Sequence, residues 1–246
     1  MMNETIILFG SSSGIAKAYI EELNNQNKSL QVICLSRTPN EHTIYENLKL
    51  SHYETDYSKE SLSKITQKIN LTNSFVSQVI IFNGQLHMEN KMPERKLSEL
   101  DYDYFNGLMN SNALIPMLCL ASVMPLLDKT QKCTIIALSA RVGSLGDNKL
   151  GGWYSYRASK AALNMLFTSA AIEISRKSKN TKLILFHPGT TNTKLSKPFQ
   201  KNVPDGKLFT AEFVAKQLFK IQNNNFNGQP SSEVAFLDWK AEPIPW

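Results

Sequence analysis

Two side chains in the stretch GGWYSYRASKAALNML, residues 151–166, could move a proton between them: Tyr156 and Lys160. On a helix, positions i and i+4 share one face, so the phenol and the amine stand together. A free phenol keeps its proton up to a pH of about 10, too tightly to exchange it near neutrality. An ammonium alongside favours the phenolate and draws that value down, which turns the phenol into a usable acid and base. Tyr154 points elsewhere on such a helix and is expected to pack or to line a pocket.

The elements that must position this pair are short apolar runs alternating with amphipathic stretches. TIILF (5–9), LQVICLS (30–36), LKLSHYET (48–55), QVIIF (78–82), CTIIALS (133–139) and KLILFHP (182–188) read as strands, with EVAFL (233–237) as a seventh. Near-continuous hydrophobicity is the mark of strands covered on both faces. Helical periodicity runs over 15–24, 59–69, 98–127, 153–178 and 211–222. The alternation predicts right-handed crossovers and an α/β, Rossmann-like doubly wound fold: a parallel seven-stranded sheet with helices on both faces. No repeat, low-complexity tract or linker interrupts it, so residues 1–246 read as a single domain.

Ligands of such sheets sit beyond the carboxyl ends of the strands, so the residues just past each strand matter most. After the first comes GSSSGIA. Gly10 permits a sharp turn, Gly14 lets backbone approach a ligand, and Ala16 lets the helix pack on the strand. Free N–H groups at the helix start suit a pyrophosphate, although the same glycines could mark only a tight turn. After the second strand, Ser36-Arg37 lacks the acidic residue that accepts hydrogen bonds from the ribose of NAD. Arg37 offers a guanidinium suited to the 2′-phosphate of NADP, or is a solvated loop arginine. Asp56, after the third strand, could bind an adenine amino group or cap the next helix. Asn83-Gly84 allow close approach of a flat ring or form a simple turn. Pro188-Gly189 make a turn that can aim the hydroxyls of Thr190, Thr191 and Thr193 over the sheet.

In order, G-x-x-x-G-x-A, an Asp after strand three, an Asn-Gly turn, Tyr-x-x-x-Lys and Pro-Gly-x-x-x-Thr resemble the short-chain dehydrogenase/reductase family along nearly the whole chain. SARVGSLGDNKLGGWYSYRASKAALNML, HPGTTNTKLSKPFQKNVPDGKLFT and the terminal IPW are similar to its C-factor-like branch, which is related to the sniffer-type carbonyl reductases. The resemblance implies an NAD(P)-dependent oxidoreductase acting on a small-molecule carbonyl or alcohol, and Arg37 predicts NADP(H) in preference to NAD(H). It implies Tyr156 as proton donor, Lys160 as the lysine that lowers the phenol and binds the nicotinamide ribose, and Asn112 as holder of a relay water. Cofactor contacts are expected from Gly10, Ser12, Ser13, Gly14, Ile15, Ser36, Arg37, Asp56, Asn83, Gly84 and Thr191, and the resemblance implies Pro188, Gly189 and Thr193 at the nicotinamide. Pairing through the helices 98–127 and 153–178, giving a homodimer or homotetramer, is implied as well.

The chain also departs from the family. The catalytic serine, third before the glycine Gly143, corresponds to Ala140. Either Ser139 or Ser144 supplies the hydroxyl or the site works without it, and Ser139 is the residue expected to supply it. A one-residue shift in a strand turns a side chain to the other face, and losing an oxyanion donor can cost on the order of a hundredfold in rate. The Asn-Asn-Ala-Gly turn is reduced to Asn83-Gly84 after Phe82. Segment 194–210 is expected to be a substrate flap. Its Lys194, Lys197, Lys201 and Lys207 could favour an acidic substrate, but a solvated basic loop is the better reading.

Composition narrows the choice. The net charge of +6 comes from scattered lysines without a dense block, which argues against nucleic acid. No run approaches the ~18 consecutive apolar residues of a membrane span, and no basic region precedes TIILFG as in a signal peptide. Cys34, Cys119 and Cys133 lie in apolar runs and are expected to be reduced and buried in a cytoplasmic protein. His42, His52, His87 and His187 do not cluster, so no metal is expected. The tryptophans Trp153, Trp239 and Trp246 are expected to pack. A second function fits Ala140 and the C-factor likeness: an NADP(H)-binding signalling or regulatory protein with little or no turnover.

Overall fold

The computed structural model describes residues 3–26, 28–38, 44–88, 91–224 and 231–246; His42 lies outside them. The strands are β1 (Asn3–Phe9), β2 (Leu30–Ser36), β3 (Leu48–Glu54), β4 (Ser74–Ile81), β5 (Cys133–Leu138), β6 (Thr181–His187), the short β7 (Thr190–Thr191) and β8 (Leu208–Phe209), and β9 (Val234–Asp238). The helices are α1 (Gly14–Asn24), α2 (Lys59–Lys68), α3 (Tyr102–Met109), α4 (Ile115–Val123), α5 (Tyr154–Lys177) and α6 (Ala211–Asn224). Seven strands pair in the order β3-β2-β1-β4-β5-β6-β9, all in parallel. The chain therefore runs outward from β1 in one direction and then, from β4, in the other. A crevice opens at that reversal, beyond the ends of β1 and β4.

Alternate residues of each strand feed two cores, as the period of two requires. Ile7, Phe9, Ile33, Val79, Ile135 and Leu185 pack with residues of α2, α4 and α5 on one face. Leu8, Val32, Ile80, Ile136 and Ile184 pack with α1 and α6 on the other. A third cluster, at the carboxyl end of the sheet, holds Leu86, Tyr104, Leu108, Ala140 and Tyr156.

The single helix expected over 98–127 is a bent composite. Leu97–Glu99 is a separate 3₁₀ turn, and Asp101 caps α3 by accepting from the Tyr104 N–H at 2.8 Å. A π turn over Asn110–Leu114 joins α3 to α4, and a 3₁₀ turn over Met124–Leu126 ends the run. By length and composition alone, Tyr102–Leu126 could cross a bilayer. Here α4 packs on α2 and α5, and Cys119, Leu120 and Val123 are buried in the first core.

Candidate active site

At the end of β1 the chain turns left-handed at Gly10, φ 71°. A Cβ there would also lie 3.1 Å from the Asn83 nitrogen, so the turns after β1 and β4 press together. Ser13 caps α1, its Oγ accepting from the Ala16 N–H at 3.2 Å. Ser12 is exposed, whereas Ile15 is buried in the core under α1. From the loop after β3, the Tyr57 hydroxyl accepts from the Gly10 N–H at 3.0 Å and donates to Leu35 O at 3.3 Å. Burial pushes the Tyr57 phenol up, opposed by a hydrogen bond with Asn83 and by the positive charge of Arg37. Arg37 follows β2 directly and is exposed. Ser36 turns its own hydroxyl away, to Thr38 O at 2.5 Å.

Asp56 does not cap α2; Ser58 does, accepting from the Ser61 N–H at 3.1 Å. The exposed Asp56 carboxylate accepts from the Ser58 N–H at 2.8 Å, which holds it below the ordinary carboxylate range. Across the crevice, the nearest group to a Cβ on Gly14 would be the Thr193 methyl, 3.9 Å away. Asn83 Oδ1 is buried with no hydrogen-bond partner among the described residues. An orphaned acceptor beside a glycine turn fits a ligand rich in hydroxyl and amide groups, as a dinucleotide is.

The π turn carries Asn112 into the interior, fully buried. Its Oδ1 accepts from the Gln85 N–H at 2.7 Å, and its Nδ2 donates to Gln85 O at 2.8 Å and to Ser159 Oγ at 2.9 Å. Ser159 Oγ donates in turn to the Tyr156 carbonyl at 2.8 Å. Lys160 Nζ donates to Leu138 O at 2.8 Å. A Cβ on Gly84 would touch Lys160 Nζ at 3.5 Å and Asn112 Oδ1 at 3.6 Å. The turn after β4, the π turn and α5 thus meet at one point. Gly143 brings in a fourth segment, because a Cβ there would lie 2.8 Å from the Lys160 backbone. Sequence reasoning missed Ser159 and Gln85. Ser159 stands three residues after Tyr156, on the face that also carries Lys160, and that spacing was its only signal.

The spacing predicts that Lys160 lowers the Tyr156 phenol. In the folded chain desolvation prevails instead: burial pushes Tyr156 up and Lys160 down to about 7. The two groups therefore rest as a protonated phenol and an amine that titrates near neutrality.

The Ser139 hydroxyl, expected to serve the reaction, is engaged with α5 in this structure. Its Oγ donates to Asn164 Oδ1 on α5 at 2.6 Å, while Ala140, on the opposite side of the strand end, packs in the cluster with Tyr156. Ser144 Oγ accepts from the Asp147 N–H at 3.0 Å and shapes a turn. Side chains alternate in direction along the strand end, so Ser139 and Ala140 face opposite ways.

After β6, Thr191 Oγ1 donates to Gly189 O at 3.4 Å and Thr193 Oγ1 to Thr191 O at 3.3 Å, so Pro188, Gly189 and both threonines form one turned segment. β7 and β8 pair, and the Asn192 N–H donates to Phe209 O at 2.8 Å, pinning together the two ends of segment 194–210, the expected flap. The histidine before the turn, His187, has a buried Nδ1 without a partner among the described residues. Burial, and then the charge of Arg141, push it down to about 4. Arg141 pairs with Asp147 at 3.2 Å and Asp238 at 3.1 Å.

A sequence description of the short chain dehydrogenases matches residues 4–204. The chain belongs to that family and is an NAD(P)-dependent oxidoreductase. It is 28% identical to 1-hydroxy-2-glutathionyl-2-methyl-3-butene dehydrogenase of Rhodococcus sp. (strain AD45), over 96% of this chain and 99% of that one. It is 30% identical to C-signal of Myxococcus xanthus over 150 residues, 61% of this chain and 83% of that one. This kinship bears out the C-factor-like branch. The fold matches carbonyl reductase Sniffer of D. melanogaster with a TM-score of 0.80 at 17% identity, covering 100% of both chains. It matches a short-chain dehydrogenase/reductase from Burkholderia multivorans with bound NADP with a TM-score of 0.79 at 21% identity, covering 99% of this chain and 100% of that one.

Proposed function

We propose that this protein transfers hydride between NADP(H) and a carbonyl or alcohol substrate, with Tyr156 as general acid and base. One observation carries the reading: Tyr156, Lys160 and Asn112 converge and are buried, with Ser159 linking the Asn112 amide to the Tyr156 carbonyl and Gly84 lying against both Lys160 Nζ and Asn112 Oδ1. The Gly10 turn, Ser12, Ser13, Gly14 and the start of α1 would hold the pyrophosphate, and Arg37 the 2′-phosphate. Asp56 and Asn83 would border the adenosine, and Pro188, Gly189, Thr191 and Thr193 the nicotinamide. The bound cofactor supplies or takes the hydride. Tyr156, protonated at neutral pH, gives its proton to the developing alkoxide, which favours carbonyl reduction. Lys160, with an amine near its titration point, restores that proton at little cost.

Titration of the purified protein with NADPH and NADH, followed by nicotinamide fluorescence, tests this first. NADPH binding tenfold or more tighter, with NADPH oxidation by a panel of ketones, is the expected result. Binding of neither nucleotide overturns the proposal.

A second reading rests on Ala140 beside Tyr156: a protein that binds NADP(H) and signals, with little turnover. Ala140→Ser separates the two. An enzyme short of one oxyanion donor gains rate, roughly tenfold or more, whereas a binding protein gains none.

The exposed apolar side chains Leu114, Met165, Leu166 and Ile172, at and beside α4 and along α5, support pairing into a homo-oligomer. A dimer or tetramer by light scattering is expected; a monomer at micromolar concentration removes this part. Three buried free thiols, with Cys34 and Cys133 pushed up to about 12 by burial, fit a reducing compartment such as the cytoplasm.

A further inference from the structure

Three consecutive residues ahead of α5 adopt left-handed backbone: Gly151 and Gly152 at φ 63° and Trp153 at φ 54°. Glycine takes this conformation freely, but tryptophan does not, so something must hold Trp153 there. Glu94 does so. Its carbonyl accepts from the Trp153 N–H at 2.5 Å, and its carboxylate accepts from the Ser155 N–H at 3.2 and 3.3 Å and from the Ser155 hydroxyl. Trp153 has no side-chain cap to offer α5, so the buried Glu94 carboxylate takes that place. Arg157 locks the other side, donating to Gly152 O at 2.9 Å and Gly151 O at 3.0 Å.

The held turn throws the indole over the reacting end of the site. Its ring lies edge-on to Tyr156 at 6.1 Å between centroids and meets Phe199 at 5.2 Å. Phe199 belongs to the flap, between β7 and β8, and its ring is 6.2 Å from that of His87. Leu86, Ala140, Val142 and Leu195 pack around the same cluster.

Resting on the oxidoreductase reading, we propose that Trp153 and Phe199 are a specificity-determining clamp, its rings in contact with each other in this structure, one wall fixed and one carried by the flap that parts to admit a substrate ring. The clamp selects neutral carbonyl compounds that bear a flat apolar group, an aryl ring above all. Charge decides between this and an acidic substrate. Lys194, Lys197, Lys201 and Lys207 are all exposed. Arg157 is spent on backbone carbonyls and Glu94 on Ser155. A carboxylate brought into the cluster would lose its water and meet no counter-ion among these groups. An aryl ring instead gains ring contacts at separations of about 4.5–7 Å, with its carbonyl left to Tyr156.

The test compares kcat/KM with NADPH for 2-acetylnaphthalene, 2-octanone and 6-acetyl-2-naphthoate. The neutral aryl ketone is expected to lead the alkyl ketone by roughly tenfold and its carboxylate analogue by more. Trp153→Ala and Phe199→Ala should each collapse the aryl-to-alkyl ratio towards one, and Trp153→Phe should keep it. An unchanged ratio in Phe199→Ala, or a preference for the carboxylate, overturns the clamp. If no ketone is reduced at all, the oxidoreductase reading fails instead. The clamp is then judged by calorimetric binding of 2-acetylnaphthalene to the NADPH-loaded protein. A tenfold weakening in Phe199→Ala upholds it; equal binding, or none in either protein, overturns it.

Discussion

Beyond β1, β2 and β4 the chain presents a glycine turn, the exposed guanidinium of Arg37 and the orphaned amide oxygen of Asn83. Around a buried phenol it gathers Leu86 from beyond β4, Ala140 and Trp153 from between β5 and α5, and Phe199 from between β7 and β8. The first region is built largely from backbone and comes from the ends of neighbouring strands. It suits a large polar ligand whose phosphates are recognised by N–H groups and one fork of positive charge. The second is built from side chains contributed by segments far apart in the chain. It offers little beyond shape, aromatic surface and one proton. The difference teaches where the chain can vary. The first region is constrained by backbone geometry, whereas the second is built from side chains that can be exchanged without disturbing the sheet.

The sharpest way to break this division is Tyr156→Phe. It removes one oxygen from the apolar region and none from the polar one. The expected outcome is a loss of kcat on the order of a thousandfold with NADPH affinity unchanged. A parallel loss of nucleotide binding would show the two regions to be one. Next comes Arg37→Ala, the converse experiment. NADPH should bind about ten- to a hundredfold more weakly, the scale of a charge-assisted hydrogen bond or two, while NADH binding holds. Equal weakening of both nucleotides sinks the assignment of Arg37 to the 2′-phosphate.

Lys160 sits where the regions join, and its burial makes a pH prediction. Its ordinary value is 10.5 and its folded value about 7, so between these the unfolded chain binds the extra proton. Stability from this group is complete above 10.5 and is lost as the pH falls through about 7. Thermal melts of the nucleotide-free protein should therefore rise with pH across that window more steeply than those of Lys160→Met. Identical slopes refute the burial argument. The smallest effect on chemistry belongs to removal of residues 244–246, outside both regions. The Ile244 N–H donates to Phe236 O at 2.8 Å, the Gly146 N–H donates to Trp246 O at 2.9 Å, and Ile244 is buried. Losing them should lower stability by about 2–4 kcal/mol and leave kcat of the folded fraction intact. An unshifted melting temperature would falsify this.

The strands were legible because burial on both faces leaves continuous apolar runs. β4 alone extends well past its expected start at 78, back to Ser74, where two serines break the run and a register shift at Thr5/Ile6 accommodates the extra length. The break in the helix at Asn110–Leu114 left no trace in periodicity, since a π turn shifts direction without changing residue type. The pair Tyr156 and Lys160 was legible from spacing alone, as were the glycines.

Amino-acid order by itself determined the parallel α/β fold, the turn at Gly10 and the shared helix face of Tyr156 and Lys160. These depend on periods of two and 3.6 residues, which are local. Only the tertiary structure decided that Ser139 faces Asn164, that Glu94 holds Trp153, and that desolvation outweighs proximity at Tyr156 and Lys160. Which groups lose water, and which side chains then meet, is set by packing between segments tens of residues apart, and no local pattern carries that information.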